Sequence, residues 1–241
     1  MYSAIIPASG TGSRMGFRFN KLLYKINDMT ILEYTARTFL EDARCKQIIL
    51  TVNHKDFDKI SQIFASSTKV QIEIGSKTRQ ESIYNGMQVV TEDFVLIHDG
   101  ARPFITESMI SSCLKVLDKD RGAVLGFTPK DTIKLRKKFD PRFIESTLIR
   151  DELVAVQTPQ CFPTSPLKEA NEKAFRDGFL PVATDDAMIF EKYTDIPIEI
   201  VEHNEANPKF TTPDDVEYFE FLLKKRRCYK CESVILKMCT N

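Results

Sequence analysis

The chain has 241 residues, enough for one large α/β domain whose core needs no disulfide or metal to hold it. Hydrophobic residues make up 42% of it and charged residues 28%, the balance of an ordinary globular protein. Lysine plus arginine (34) equals aspartate plus glutamate (34), which excludes the global basic field of a nucleic-acid binder and means that an anionic substrate must be caught by a local cluster.

The start, Met1-Tyr2-Ser3-Ala4-Ile5-Ile6, lacks the basic region of a signal peptide, and no apolar run is long enough to span a bilayer. Cys45, Cys113 and Cys161 sit among apolar segments and read as reduced core thiols. A cytoplasmic protein is expected, with neither membrane nor nucleic acid as partner.

Short β-rich runs are predicted at Ser3–Pro7, Gln47–Val52, Val70–Ile74, Phe94–His98 and Ala123–Phe127. Between them, helical patterns fall at Thr30–Glu41, Lys55–Ala65, Arg79–Val90 and Glu107–Asp118. Thr30 and Glu33 have the spacing of a capping box, and Thr106 before Glu107 is an N-cap candidate. This alternation predicts an α/β fold: a Rossmann-like, mostly parallel sheet with helices on both faces. Ligands of such sheets bind beyond the carboxyl ends of the strands.

After Phe127 the alternation breaks. Lys130–Phe139 and Ile144–Val156 read as two extended segments around the turn signal Asp140-Pro141, a β-hairpin arm (about 130–156) protruding from the sheet. Helices resume at Ser165–Asp177 and Thr184–Lys192, with a strand at Ile198–Val201. A helix near Pro213 closes the domain, with Thr212 as N-cap and Asp214-Asp215 in its first turn. Residues 1–227 read as one domain, and 228–241 as a tail. Lys224-Lys225-Arg226-Arg227 followed by Cys228 and Cys231 reads as a basic helix end, because no second ligand pair completes a zinc site.

The first strand runs into Pro7-Ala8-Ser9-Gly10-Thr11-Gly12-Ser13-Arg14-Met15-Gly16, with Lys21 following. Gly10 and Gly12 allow a tight bend that turns backbone N–H groups toward one point, a cradle for phosphate oxygens. A P-loop is excluded because no Gly-Lys-Ser/Thr ends the loop, and a dinucleotide fingerprint fails at Met15. What remains, Gly-x-Gly-x-Arg with a lysine seven residues further on, resembles the signature of the sugar- and polyol-phosphate nucleotidyltransferases, which implies that Arg14 and Lys21 are fixed cations offsetting the charge that moves onto a leaving pyrophosphate. The competing account is a glycine turn with two solvated cations. A later strand ends in His98-Asp99-Gly100-Ala101-Arg102-Pro103, at the sheet edge where ligands bind. Asp99 suits Mg²⁺ or substrate hydroxyls and Arg102 a phosphate; the alternative is a buried Asp–Arg pair fixing the loop. His98 reads as structural.

Seven segments together carry a resemblance: the Gly-rich loop, Arg79-Gln-Glu-Ser82, His98–Pro103, Asp131-Thr-Ile-Lys134, Gln157-Thr-Pro-Gln160, Thr184-Asp-Asp186, and Lys209 before Thr211-Thr-Pro-Asp214. In this order they resemble the 2-C-methyl-D-erythritol 4-phosphate cytidylyltransferase family over about residues 1–225. The resemblance implies transfer of a cytidylyl group from CTP to a small phosphorylated polyol, with Mg²⁺ bound mainly through the nucleotide phosphates and no dedicated protein metal site. It makes Arg14, Lys21, Arg150 and Lys209 catalytic. Ala8, Ser9, Gly10, Thr11, Gly12, Ser76, Ser82, Asp99 and Gly100 would line the nucleotide site. Asp99, Arg102, Thr132, Arg150, Thr158, Thr184 and Lys209 would surround the acceptor. It also implies a homodimer in which the arm bearing Thr132 and Arg150 crosses to the second subunit.

Each residue also has a plainer account: Thr132 in a turn, Thr184 as a helix cap, Arg150 as a surface cation, Arg79 in a salt bridge. The chain departs from the family pattern at Asn20-Lys21-Leu22, Ser76-Lys77 and Pro208. Two other readings compete, a ribitol 5-phosphate cytidylyltransferase and a non-catalytic nucleotide-binding protein on the same fold. The small Gly100-Ala101 and Ile149 before Arg150 favour methylerythritol phosphate over the first, and the leaving-group cations count against the second.

Overall fold

The computed structural model describes residues 1–10, 17 and 19–225. Its centre is a seven-stranded sheet of order β11-β7-β10-β6-β1-β4-β5. The strands are β1 (Tyr2–Pro7), β4 (Cys45–Val52), β5 (Val70–Ile74), β6 (Phe94–Ile97), β7 (Gly122–Phe127), β10 (Ala155–Pro163) and β11 (Ile198–Glu202). All pairs are parallel except those of β10, which runs antiparallel to both β6 and β7.

Along β1 the side chains alternate between two cores. Ala4 and Ile6 join the side packed by α1 (Ile31–Glu41), α2 (Phe57–Phe64), α4 (Glu107–Val116) and a helical segment over 215–225. Ile5 joins the side packed by α3 (Arg79–Met87), α5 (Thr164–Arg176) and α6 (Asp186–Tyr193). Burial on both faces explains why the central strands read as nearly continuous apolar runs. The capping box predicted at Thr30 is present, and Thr106 accepts from the Met109 N–H as its N-cap.

The arm differs from the expected pair of long extended segments. Only β8 (Lys134–Arg136) and β9 (Ile144–Thr147) pair, and both are exposed along their whole length. A 3₁₀ turn at Arg150–Glu152 ends the arm, after which the chain enters β10. That strand is absent from the sequence reading, because its Gln157-Thr158-Pro159-Gln160 carries little apolar signal and a proline argues against a central strand. The register against β7 shifts between Val156 and Gln160, so these residues stand where the ladder is already interrupted.

Two further corrections concern local structure. A small hairpin, β2 (Lys25–Ile26) with β3 (Met29–Thr30), turns through Asn27 and Asp28, both at positive φ. At the closing helix, which begins at residue 215, the carboxylate of Asp215 reaches back to accept the Thr211 and Thr212 N–H groups at 2.6 and 2.7 Å, the bond that the acid of a capping box makes to its cap residue.

Candidate active site

A cleft of about 330 Å³ opens beyond the carboxyl ends of β1 and β6, with Ser9, Gly10, Lys21, Asp99, Gly100 and Lys209 in its lining. Asn20 builds one wall. Its amide nitrogen donates to the Ala8 carbonyl at 2.8 Å and to Asp56 at 3.0 Å, and its Oδ1 accepts the Leu22 N–H. Asn20 is thus the N-cap of a 3₁₀ turn, Lys21–Leu23, that fixes where Lys21 leaves the backbone. The Lys21 ammonium donates to the Phe210 carbonyl, and Phe210 stands one residue beyond Lys209. Gly100 allows the opposite wall to come close, since a Cβ there would meet Leu22 Cδ1 at 2.9 Å and the Pro7 carbonyl at 3.0 Å.

Asp99 is the hub. Its Oδ1 accepts Arg79 Nε at 2.9 Å, its Oδ2 accepts Lys209 Nζ at 2.7 Å, and Arg102 Nε lies 3.6 Å away. Burial pushes the Asp99 carboxyl up, but Arg79, Lys209 and Arg102 outweigh it and hold the group well below the usual carboxylate range. Asp99, with Asp186 behind Arg79, offsets two of the three cations, and Lys21 and Lys77 in the same lining leave a local positive excess, which suits phosphate. Asp99 is the one carboxylate in this lining, and no cluster of three His, Cys, Asp or Glu side chains capable of holding a metal occurs among the described residues.

Arg79 is gripped from behind as well. Its Nη1 donates to Asp186 at 2.8 Å, and Gln80 donates to the other oxygen at 3.0 Å. Gln160 accepts the Asp186 and Ala187 N–H groups and donates to Asp185, the N-cap of α6. The salt-bridge reading of Arg79 therefore holds, and the same residue also lines the cleft.

His98 is fully buried between Thr158 and Arg102. The Arg102 carbonyl only accepts, so His98 Nε2–H donates to it at 3.0 Å, and Nδ1 accepts from the Thr158 hydroxyl at 3.1 Å, whose oxygen in turn accepts the Asp99 N–H. The ring is neutral, and burial lowers its pKa to about 4. The unfolded chain protonates this residue near pH ~6.5, so it binds more protons than the folded chain as the pH falls from there to about 4. His98 alone is expected to cost about 3 kcal/mol of stability across that window. Denaturant midpoints of His98→Asn should vary less with pH over the same range; an equally steep fall would assign the loss to other groups.

The remaining predicted residues divide clearly. Ser82 is fully buried, its hydroxyl 2.9 Å from Ser9 Oγ and donating to the Thr78 carbonyl, so it braces the loop from beneath. Ala8 lies beneath the surface of the cleft, while exposed Ser76 uses its N–H on Ser82 and its hydroxyl on Glu81. Thr158 supports His98 and Asp99, and Arg102 stands behind Asp99. Thr184 is not the cap of α6; Asp185 takes that place because its carboxylate reaches the Met188 N–H at 3.0 Å. Thr132 and Arg150 lie on the exposed arm, outside the lining. Thr11, Gly12 and Arg14 fall outside the described residues. Asn20, Lys77 and Thr78 escaped the sequence reading as site residues. An asparagine before Lys21-Leu22-Leu23 was the available cap signal for the first, and Thr78 with Glu81 was an unread capping box.

The sequence model described as 2-C-methyl-D-erythritol 4-phosphate cytidylyltransferase matches residues 2–225. A protein of that description from Bacillus pumilus is 39% identical over 232 residues, covering 95% of this chain and 99% of the relative. One from Bacillus cytotoxicus is 40% identical, covering 94% and 100%. Among solved structures, the 4-diphosphocytidyl-2C-methyl-D-erythritol synthase of Anaerococcus prevotii superimposes with a TM-score of 0.81 at 29% identity, covering 92% and 96% of the two chains. The 2-C-methyl-D-erythritol 4-phosphate cytidylyltransferase of Francisella tularensis gives 0.77 at 28%, covering 91% and 98%.

Proposed function

The chain belongs to the 2-C-methyl-D-erythritol 4-phosphate cytidylyltransferase family, and from that premise we propose how its cleft performs the reaction. The enzyme joins CTP to 2-C-methyl-D-erythritol 4-phosphate, giving CDP-methylerythritol and pyrophosphate for isoprenoid synthesis by the non-mevalonate route. An oxygen of the acceptor phosphate attacks the α-phosphorus of CTP in line. A new O–P bond forms, the bond to the bridging oxygen breaks, and its electron pair leaves on pyrophosphate. The nucleophile is already anionic, so no general base is needed.

The observation that carries this reading is the ring of cations about Asp99, which shares one cleft with Lys21. Lys209 and Arg102 hold the acceptor phosphate, while Lys21, with Arg14 of the Gly-rich loop, stabilises the departing pyrophosphate. Ser9, Gly10, Thr11 and Gly12 cradle the triphosphate through their backbone, with Ala8 and Ser82 fixing the loop and Ser76 and Gly100 bordering it. Thr158 and Thr184 frame the acceptor side. Among the described residues no group of His, Cys, Asp and Glu side chains forms a dedicated metal cage. Mg²⁺ carried by nucleotide phosphates needs only one or two protein carboxylates, and Asp99 is the group available; the ion would supply charge neutralisation on the phosphate oxygens.

We also propose a homodimer with shared active sites. Every residue of β8 and β9 is exposed, and Phe139 at the tip of the arm is 96% exposed. Arg150 and Thr132 would then act in the partner's cleft. Mixed in equal amounts, subunits carrying Lys209→Ala and Arg150→Ala should recover about a quarter of normal activity, because half the dimers are mixed and each has one intact site. No recovery after subunit exchange would mean that Arg150 serves its own subunit. The free, buried Cys45, Cys113 and Cys161 suit a cytoplasmic enzyme, and no helix among the described residues is long and apolar enough to cross a membrane.

The test is pyrophosphate release by purified protein with CTP and Mg²⁺, comparing methylerythritol phosphate with ribitol 5-phosphate. Fast release with the first alone is expected. Preference for ribitol phosphate would overturn the choice of acceptor but not the chemistry, and silence with both would overturn the mechanism.

A further inference from the structure

A second cavity, of about 430 Å³, lies along the same edge of the sheet beyond the carboxyl ends of β7 and β11. It shares a wall with the cleft, because Asn207 and Pro208 in its lining run directly into Lys209. None of the roles assigned above uses it.

This wall holds buried polar atoms without partners. Asn207 is 2% exposed, and its Oδ1 has no hydrogen bond. Its orientation is settled, because the amide nitrogen donates to the Thr158 carbonyl at 3.0 Å, so the free end must be the oxygen. Gln157 Oε1 also lacks a partner, and Gln157 lines the same cavity. Buried polar atoms nearly always find partners, so acceptors gathered on one wall require donors from outside the chain.

The rest of the lining narrows the choice of donor. Glu202 and Glu205 give it two carboxylates against one cation, Lys130, which is exposed and free to swing into solvent. Phe127 and Tyr218 add aromatic surface, with the His203 ring edge-on to Phe127 at 6.4 Å. Amide oxygens, carboxylates and aromatic rings together form an environment for an organic cation, which can donate hydrogen bonds and lie against a ring face at once. A resident metal ion is a poor match, since no three-ligand cluster occurs among the described residues.

We propose that this cavity is a second binding site, taking a small organic cation that presents a guanidinium or primary ammonium group to Asn207, Gln157, Glu202 and Glu205. The cation is either a free metabolite or a side chain from a second copy of the chain; the chemistry is the same. Its occupancy reaches the acceptor side by a short path. The Asn207 carbonyl accepts Arg102 Nη1 at 2.8 Å, and Arg102 flanks Asp99. This link, unlike the binding itself, rests on the role proposed above for Arg102.

The experiment uses the full chain with agmatine, which carries both cationic groups, and the surface variant Glu202→Gln/Glu205→Gln, which leaves every proposed catalytic group in place. Calorimetric titration without substrates is expected to give saturable binding that the double variant weakens at least fivefold. Saturating agmatine is expected to change KM for the phosphorylated acceptor at least twofold with kcat unchanged; binding with KM unmoved would overturn the link to Arg102. Sedimentation separates the two sources. Binding that leaves association unchanged identifies a free cation. Self-association weakened at least fivefold by the double variant, or by agmatine, identifies a side chain of the second copy. If agmatine does not bind and the variant associates normally, the cavity holds water alone and the proposal is wrong. Because binding is read without turnover, this failure is distinct from failure of the proposed reaction.

Discussion

Replacing Asp99 with asparagine is expected to lower kcat/KM for the acceptor at least a hundredfold and to destabilise the fold by about 3 kcal/mol, the usual cost of stripping one partner from a buried ion pair. Asparagine keeps the shape and loses the charge. Arg79, Lys209 and Arg102 would then repel one another around a neutral amide, and Lys209, held at 2.7 Å in the parent, would lose its anchor. The two effects separate by measuring denaturant midpoints first, then kinetics at a temperature where the variant is fully folded. Near-normal turnover in the folded variant would remove Asp99 as the organiser of the cleft. The pH dependence has a definite sign. The Asp99 carboxyl titrates lower in the folded chain than in the unfolded one, so its contribution is complete above pH ~4 and is lost as the pH falls further.

Replacing Lys21 with alanine is expected to reduce kcat at least tenfold, and about a hundredfold if it contributes as one preorganised donor to a developing anion. The acceptor's KM should change little, because Lys21 acts on the leaving group. Folding should survive, since the 3₁₀ turn is capped by Asn20 and its buried anchors are Leu22 and Leu23. Steady-state kinetics with a matched thermal melt would check both statements. A folded variant with normal kcat would take Lys21 out of the mechanism and leave Arg14 as the remaining leaving-group cation of the loop. Asn20→Ala offers a graded comparison, since it frees the turn without removing the ammonium.

The positions of β1, β4, β6 and β7 were legible from the chain to within a residue or two, because burial on both faces writes an apolar run into the strand itself, and the edge strand β5 was legible from the alternation of Val70, Ile72 and Ile74 with Gln71 and Glu73. Helix starts were legible where a cap is a local contact, as at Thr30 with Glu33. The same logic failed at α6, where Thr184 and Asp185 are both acceptable caps in sequence and only the backbone geometry at Asp185 selects between them. It failed more seriously at β10. Its inner residues are satisfied by partners far away, Gln160 by the start of α6 and Thr158 by His98 and Asp99, so they need no apolar character to be buried.

By itself, then, the sequence determined the alternating α/β frame, the Gly-rich loop after the first strand, the protruding arm, and the family motifs that name Lys21, Asp99 and Lys209. Each is written in neighbouring residues, as a periodicity, a cap or a fixed spacing. Only the tertiary structure decided that β10 enters antiparallel between β6 and β7, and that Asp99 is shared by Arg79 from the start of α3 and Lys209 from a segment 110 residues later. It alone joined Arg79 to Asp186 across 107 residues, and set acceptor atoms without donors along the wall behind Lys209. The physical reason is that burial pattern and capping act over one or two turns of chain. Charge pairing depends only on distance in space, which is fixed when the sheet closes.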